Sequence, residues 1–389
     1  MNLKTIRDMG DLEGKKVLVR ADLNVPAKDG IISDASRIGR FAPTAELLAG
    51  KGARVVIITH FGRPEGKDMK FSCAFLAPAL SKYVGKSVEF APDALLGATA
   101  ASGLKDGEIA LLENVRFYPE EEANDPAFAE KLAEGFDFFV NDAFSAAHRA
   151  HASTEGITKY LPSFAGLLME EEIAALSKAL EHPARPSVAI VAGAKISTKL
   201  ELLANLAKKV DTILIGGAMA NTFLFAVGEN IGDSLAERDM AGTAKKILEA
   251  AKGKIVLPMD AVVAVSLEAP SRTARFSDIA PDEKILDIGS ESVKLFKEKI
   301  AASKTLLMNG PVGLFEVKPF DKATTDLARF IISRVKAGEL AAVAGGGDTV
   351  SALEQSGAAS GFTYISTAGG AFLEWLEGKT LPAIPPLEK

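Results

Sequence analysis

One cysteine, Cys73, stands among 389 residues. That excludes an intramolecular disulfide and any metal site built from several thiolates, and it suits a reducing compartment. Histidine is scarce as well, with four in the chain. His148 and His151, three apart and close to Asp142, could suggest a metal site, but the spacing is weak and anion contact or packing is the preferred reading. Charge of one sign is not in excess: 45 Lys plus Arg face 51 Asp plus Glu, for a net charge of -6. No global positive field gathers nucleic acid or an anionic membrane, so neither is an expected partner, and any anion must be held by a local cluster. The uncharged stretch between Asp211 and Glu229 is interrupted by Gly216, Gly217 and Asn221 and is short for a membrane span. Residues 1–10 carry Lys4, Arg7 and Asp8 and lack the apolar core of an export signal, so a cytoplasmic protein is expected. Three familiar fingerprints are also missing: G-x-x-x-x-G-K-[ST], G-x-G-x-x-G and the protein-kinase H-R-D set. An ordinary P-loop enzyme and a standard dehydrogenase are thereby disfavoured.

What is present is material for two cores. Hydrophobic residues make up 48% and charged residues 25%, and the length exceeds what one core usually serves. Short aliphatic runs recur, each closed by Gly, Asp, Asn, His or Arg and followed by a longer helical stretch. In the first half these include Val17 to Val19, Val55 to Ile58, Ile109 to Leu112 and Phe138 to Val140. In the second they include Val188 to Val191, Thr212 to Ile215, Ile255 to Leu257, Thr305 to Met308, Ala341 to Ala344 and Tyr364 to Ser366. Repetition of this kind predicts an α/β protein of two Rossmann-like lobes, each a parallel sheet flanked by helices. Met169, Ile173, Leu176 and Leu180 recur at helical spacing and Pro183 and Pro186 stop the run, so a hinge helix over residues 170–186 is expected. It would join a domain of residues 1–169 to one of residues 187–369, with a proline-rich tail, residues 370–389, packing back on the first.

Ligands of open parallel sheets bind beyond the C-terminal strand ends, and the two halves differ there. The first half offers Asp22, Asn24, His60, Arg63, Asn114, Arg116, Asn141, Asp142, His148 and Arg149. Arginine forks match carboxylate and phosphate oxygens, so this looks like a grip for a compact polyanion. The second half offers Gly193, Lys195, Lys199, Gly216, Gly217, Asn309, Gly310, Gly313, residues 345–348, Gly369 and Gly370. Glycine turns expose backbone N–H groups and lysines add mobile charge, which suits a nucleotide polyphosphate. Bland readings stand beside these: Arg63 as a solvated loop residue, and Gly345-Gly346-Gly347-Asp348-Thr349 as a tight strand-to-helix turn. Asp348 adds a carboxylate of the kind that holds a divalent metal at a phosphate site.

With those residues in view, the sequence is similar to the phosphoglycerate kinase family over essentially its whole length. The matching segments are RADLNVP from Arg20, HFGRP from His60, ENVRF from Glu113, AHRAHAS from Ala147, GAKISTK from Gly193, NGPVGLFE from Asn309, Gly345 to Thr349 and Ser366 to Ala371. The resemblance implies a cytosolic, monomeric glycolytic enzyme that interconverts 1,3-bisphosphoglycerate plus ADP with 3-phosphoglycerate plus ATP, using Mg2+. It implies acid binding by Asp22, Leu23, Asn24, Arg37, His60, Phe61, Gly62, Arg63, Arg116 and Arg149. It implies nucleotide binding by Lys195, Lys199, Asn309, Glu316, Gly346, Gly347, Asp348 and Thr349, with Asp348 toward the metal and Glu316 toward the ribose. Catalytic roles would fall to Arg37, Lys195, Lys199, Gly369 and Gly370. Two positions depart from the family pattern: Ala368 stands where glycine is frequent and Thr198 where an acidic residue is frequent. A Cβ at position 368 disfavours a positive φ, which puts that loop's geometry in question. Two rivals share the two-lobed plan: a solute-binding protein, which would show binding without turnover, and a nicotinamide-dependent dehydrogenase, which would bind nicotinamide.

Overall fold

The computed structural model describes residues 1–389 and divides into two compact units, Met1–Ala174 with Thr380–Lys389, and Ala175–Lys379. Strands are β1 (Lys16–Ala21), β2 (Ala27–Lys28), β3 (Ile31–Ile32), β4 (Arg54–Ile58), β5 (Val88–Ala91), β6 (Ile109–Leu112), β7 (Phe138–Asp142) and β8 (Ser163–Ala165) in the first unit. The second carries β9 (Ser187–Ala192), β10 (Thr212–Gly216), β11 (Ile255–Val256), β12 (Asp260–Ala264), β13 (Arg272–Arg275), β14 (Lys284–Ile288), β15 (Thr305–Asn309), β16 (Ala341–Gly345) and β17 (Tyr364–Ser366). Each unit is built on a six-stranded parallel sheet, ordered β5-β6-β4-β1-β7-β8 in the first and β11-β10-β9-β15-β16-β17 in the second. In both, the first-laid central strand acquires neighbours on its two sides from different parts of the chain. That is the topology that opens a crevice at the C-terminal strand ends.

The period of two along each strand decides which core a side chain joins. Val17 and Val19 pack with Val55, Ile57, Ile109, Leu111 and Val140 on one face of the first sheet. Leu18 packs with Val56, Ile58, Ala110, Leu112 and Phe139 on the other. Both faces are therefore covered, which is why the middles of these strands are apolar on both faces. In the second unit Val188, Ile190, Leu306, Met308, Ala342 and Ala344 pack with Phe296, Leu327 and Ile331 from helices Ser290–Ala301 and Lys322–Lys336. The sequence reading lacks β2, β3, β5 and β8, and it also lacks an antiparallel sheet ordered β13-β12-β14 with its own small core of Leu224, Ile231, Val263, Ala274 and Phe276.

The segment expected as one helix over residues 170–186 is shorter and earlier. Helix Leu167–Leu176 is followed by a π-helical turn, Ser177–Glu181, and regular structure stops at His182. The tail also divides differently from the expected residues 370–389. Helix Gly370–Leu376 stays with the second unit, where Phe372 packs over Gly345 and the Asn205 amide donates to Leu376 O at 2.7 Å. Only Thr380–Lys389 rejoins the first unit, through Ala383 N–H to Ala147 O at 3.2 Å and Lys4 N–H to Leu387 O at 2.7 Å. Apolar anchors drive that return, since Leu381, Ala383, Ile384 and Leu387 are all buried.

Candidate active site

In the first unit, β6, β4, β1 and β7 are parallel neighbours, so their C-terminal ends deliver side chains to one edge. Asp22 follows β1; its carboxylate is ion-paired with Arg37 on helix Ser36–Gly50 and accepts from the Ser145 hydroxyl and, at 3.1 Å, from the Asn24 N–H. Asn24 Oδ1 accepts from the Gly62 N–H at 2.9 Å, tying the loop after β4 to the loop after β1. The Asn114 amide holds that same loop by donating to Phe61 O at 2.8 Å and to Phe71 O at 2.9 Å. Arg116, in a short turn after β6, donates to Gly62 O at 2.8 Å and pairs with Glu122 at 3.1 Å. Leu23 is buried, with its N–H donating to the Thr59 hydroxyl at 3.1 Å. Arg63 is exposed and Arg149 is half-buried beside His148.

This edge is electropositive and its histidines respond. Burial, and next the Arg20 guanidinium, holds His60 well below its ordinary range, against a smaller opposing pull from Asp22. Burial followed by Arg116, Arg20 and Arg149 pushes His151 down to about 4. His148 and His151 belong to no group of three or more His, Cys, Asp or Glu side chains, and His148 Nε2 lies 3.3 Å from Arg149 Nε. Asp142, which the strand-end pattern puts at this edge, is instead buried at the start of helix Leu167–Leu176, accepting from the Met169 N–H at 3.0 Å. Cys73 is buried with its thiol pushed up by burial and by Glu113, so it is no nucleophile.

In the second unit the strand ends meet helix N-termini. Helix Gly347–Gln355 begins directly after β16, with Gly346 at φ 98° as its cap, and Asp348 exposed in its first turn. Lys199 Nζ donates to Asn309 Oδ1 at 2.5 Å, and Asn309 Nδ2 donates to Gly345 O at 2.9 Å. The Gly310 N–H donates to the Thr349 hydroxyl at 2.8 Å. Asn309 and Thr349 are both buried and satisfied by these bonds, so they hold the loops after β15 and β16 together. Burial lowers the Lys199 ammonium, while Glu377 and Asp348 pull it back up.

These loops enclose a cavity of about 290 Å³ lined by Lys195, Lys199, Asn309, Gly346, Gly347 and Asp348. A neighbouring cavity of about 360 Å³, lined in part by Leu235, Phe276, Val312, Leu314 and Glu316, shares Gly193, Ala194 and Asp348 with it. A polar chamber rich in N–H groups opening beside an apolar one fits a molecule with a phosphate end and a flat ring. The apolar chamber as a whole was not foreseen: Val312, Leu314 and Glu316 belong to the NGPVGLFE segment, but Leu235 and Phe276 come from stretches with no motif. A larger cavity of about 680 Å³, between β12–β14 and helices Ser290–Ala301 and Lys322–Lys336, contains none of the expected residues.

Phosphoglycerate kinase is the family whose sequence model matches, over residues 6–379. The chain belongs to the phosphoglycerate kinase family. It is 53% identical to phosphoglycerate kinase of Mesorhizobium japonicum, with 99% of each chain covered. It is 52% identical to that of Sinorhizobium medicae, with 100% of each covered. The structure matches phosphoglycerate kinase from Coxiella burnetii at a TM-score of 0.92 and 40% identity, covering 99% of this chain and 98% of that one. It also matches the Pyrococcus horikoshii OT3 enzyme at 0.83 and 31%, with the same coverage. Membership makes the protein a kinase of glycolysis and removes both rival readings.

Of the two departures from the phosphoglycerate kinase pattern, Ala368 proves compatible with its loop. It is buried, accepts no positive φ, and leaves that conformation to Gly369 at φ 53°. Thr198 lies exposed with its hydroxyl donating to Lys195 O at 2.9 Å, so it bolsters the lysine turn.

Proposed function

We propose that the protein interconverts 1,3-bisphosphoglycerate plus ADP with 3-phosphoglycerate plus ATP by direct in-line transfer, after its two units close on each other. The observation that carries this reading is the division of chemistry: arginines at the sheet edge of one unit, glycine and lysine loops over helix N-termini in the other. The first unit, Met1–Ala174 with the returning tail Thr380–Lys389, takes the acid. Arg37, Arg63, Arg116 and Arg149 supply forks to carboxylate and phosphate, and Asp22, Asn24, His60 and the backbone of Leu23, Phe61 and Gly62 orient the hydroxy-acid body. The second unit, Ala175–Lys379, takes the nucleotide. Gly346 and Gly347 offer N–H groups, Lys195 and Lys199 charge, Glu316 the ribose contact, and Asn309 and Thr349 the frame.

Asp348 is an exposed lone carboxylate at the polar chamber. That suits magnesium, which keeps most of its shell from water and phosphate and asks little of the protein. When bound, the ion neutralises charge on the nucleotide phosphates. The chain's own part is positional. Arg37, Lys199 and the N–H groups of Gly369 and Gly370 would neutralise the moving phosphoryl group while the acid's carboxylate oxygen and the leaving phosphate oxygen stay in line. No protein nucleophile is needed, and the lone pair of His60 Nδ1 faces the Arg20 guanidinium at 3.0 Å, so it is not free to attack. Closure keeps water from the labile acyl phosphate. The protein works as a cytoplasmic monomer in this reading.

A coupled assay of ATP consumption with 3-phosphoglycerate and magnesium tests the activity. Incubation with terminally labelled ATP and magnesium, without the acid, tests the direct route. Turnover with no label on protein is expected, and a chemically competent phosphoenzyme would overturn direct transfer.

A further inference from the structure

Behind the acid edge of the first unit lies a chain of buried polar groups for which the reaction as described has no use. Arg20, the fifth residue of β1, is 1% exposed, although arginine is rarely taken out of water. Its guanidinium is divided among three acceptors. Nε donates to the Ser153 hydroxyl at 2.8 Å, Nη1 donates to Ala21 O, and Nη2 lies 3.0 Å from His60 Nδ1. The Ser153 hydroxyl in turn donates to Glu121 Oε1 at 2.5 Å, and the Ser153 N–H donates to Glu121 Oε2 at 2.8 Å. Glu121 is fully buried and its counter-charge opposes the burial penalty on Arg20, as Arg20 does for Glu121. Every member has a forced role. Arginine has only donors, so Ser153 Oγ must accept from it, and the serine proton must then go to Glu121, the acceptor left.

The same logic reaches the imidazole. Because Arg20 can only donate, His60 Nδ1 must present its lone pair, and the ring proton sits on Nε2. We propose that Glu121, Ser153 and Arg20 act together as positioning residues that hold His60 as the neutral, Nε2-protonated tautomer, so that it meets the acid as a single fixed hydrogen-bond donor. The link to the acid rests on the functional reading above; the tautomer does not. The charged groups facing His60 are Arg20, Asp22, Arg116 and Arg37, three cations and one carboxylate, and the carboxylate is itself claimed by Arg37 and Ser145. Second protonation of the ring would set an N–H against the Arg20 N–H and add a fourth positive charge. An untethered imidazole in the same place would divide its proton between two nitrogens, giving the acid a donor only part of the time.

Nitrogen-15 spectra of the imidazoles decide this in the whole protein, and four histidines make assignment simple, with His60→Gln identifying the His60 signals. In the wild type, His60 should show the Nε2–H tautomer and take up no second proton across the range in which a free imidazole titrates. Ser153→Ala removes the acceptor of Arg20 Nε and the donor to Glu121, and should give His60 a mixed-tautomer ring, while its burial and the neighbouring arginines still hold its protonation low. In the same variant the KM for 3-phosphoglycerate should rise about tenfold while kcat and nucleotide KM change less than about twofold, the split expected when only binding of one substrate is lost. Ser153→Thr keeps the hydroxyl and should restore both the spectrum and KM. A wild-type His60 that is Nδ1-protonated or titrates normally overturns the proposal, even if no variant folds. So does a Ser153→Ala protein whose His60 spectrum or acid KM is unchanged. A wild type with the fixed tautomer but no acid turnover would instead sink the functional reading and leave the relay standing.

Discussion

Replacing Asp142 by asparagine removes a buried ionisable group while keeping its useful hydrogen bond. Oδ1 accepts from the Met169 N–H, whereas Oδ2 has no partner, so an amide can place its oxygen at the first position and its NH2 at the second. Burial, opposed by the Thr44 hydroxyl and the Met169 and Leu168 N–H groups, raises the Asp142 carboxyl from 3.8 to about 6. An acid raised in the folded state holds its proton more tightly folded than unfolded. Its contribution to stability is therefore complete below pH 3.8 and is lost as pH rises through 6. The interval is about two pH units, or about 3 kcal/mol at roughly 1.4 kcal/mol per unit. Asp142→Asn should thus gain about 3 kcal/mol on the wild type between about pH 4 and about pH 7, whatever its offset at the acid end. Because the single tryptophan, Trp375, belongs to the second unit, the assay is hydrogen exchange of peptides covering β7 and helix Leu167–Leu176, compared between variant and wild type at each pH. Comparison at equal pH cancels the intrinsic exchange rate. A difference that stays constant with pH, or that favours the wild type as pH rises, would refute the reasoning.

Arg63→Ala should weaken 3-phosphoglycerate binding in calorimetry and leave ADP binding unchanged; the reverse pattern would invert the assignment of units. Lys199→Ala should lower kcat by about 10² to 10³, the usual cost of one well-placed electrostatic contact, with the acid KM little changed. Gly310→Ala would place a Cβ 2.0 Å from Ala192 O at φ 107°, so circular dichroism should show thermal unfolding at a clearly lower temperature. Small-angle scattering should give a smaller radius of gyration with both substrates bound than with neither, and an unchanged radius at saturation would argue against closure.

Much of this architecture is legible from residue order because parallel strands must be apolar on both faces, and Val17 to Val19 or Val188 to Val191 read as nothing else. The β12–β14 sheet was not legible for the complementary reason: Arg272–Arg275 is mostly exposed, so its strand carries no apolar run. At the sites, residue type identified which edge to inspect but not what each side chain does there. Asp22 and Asp142 both close a strand, yet one lies ion-paired with Arg37 at the edge and the other is sealed under a helix start. The difference comes from Gly166, whose missing Cβ leaves room for the Asp142 carboxylate, a contact made by residues 24 apart in sequence. Asn309 and Thr349 likewise look like ligand contacts, but their polar atoms are committed to Lys199, Gly345 and Gly310. Arg20 and Glu121 show the limit from the other side, since only burial separates them from surface residues of the same kind.

On the proposed reading, the sheet edge of the first unit shows how several arginines meant for a polyanion can share one place in the fold. Arg20, Arg37 and Arg116 each have a carboxylate nearby, in Glu121, Asp22 and Glu122, so the inner cations are compensated by the chain itself. Arg63 and Arg149 stand further out, where water screens them. Compensation is incomplete, and the histidines register it: beyond their burial, the remaining positive field opposes protonation of both His60 and His151. A fully neutralised edge would have no reason to prefer an anion, and a wholly uncompensated one would cost the unit its fold. The arrangement lies between these limits because the carboxylates sit behind or beside the inner arginines, leaving the outer donors to be neutralised by the ligand. On this argument the buried carboxylates are as much a part of anion recognition as the arginines, since they allow so many cations to share one sheet edge.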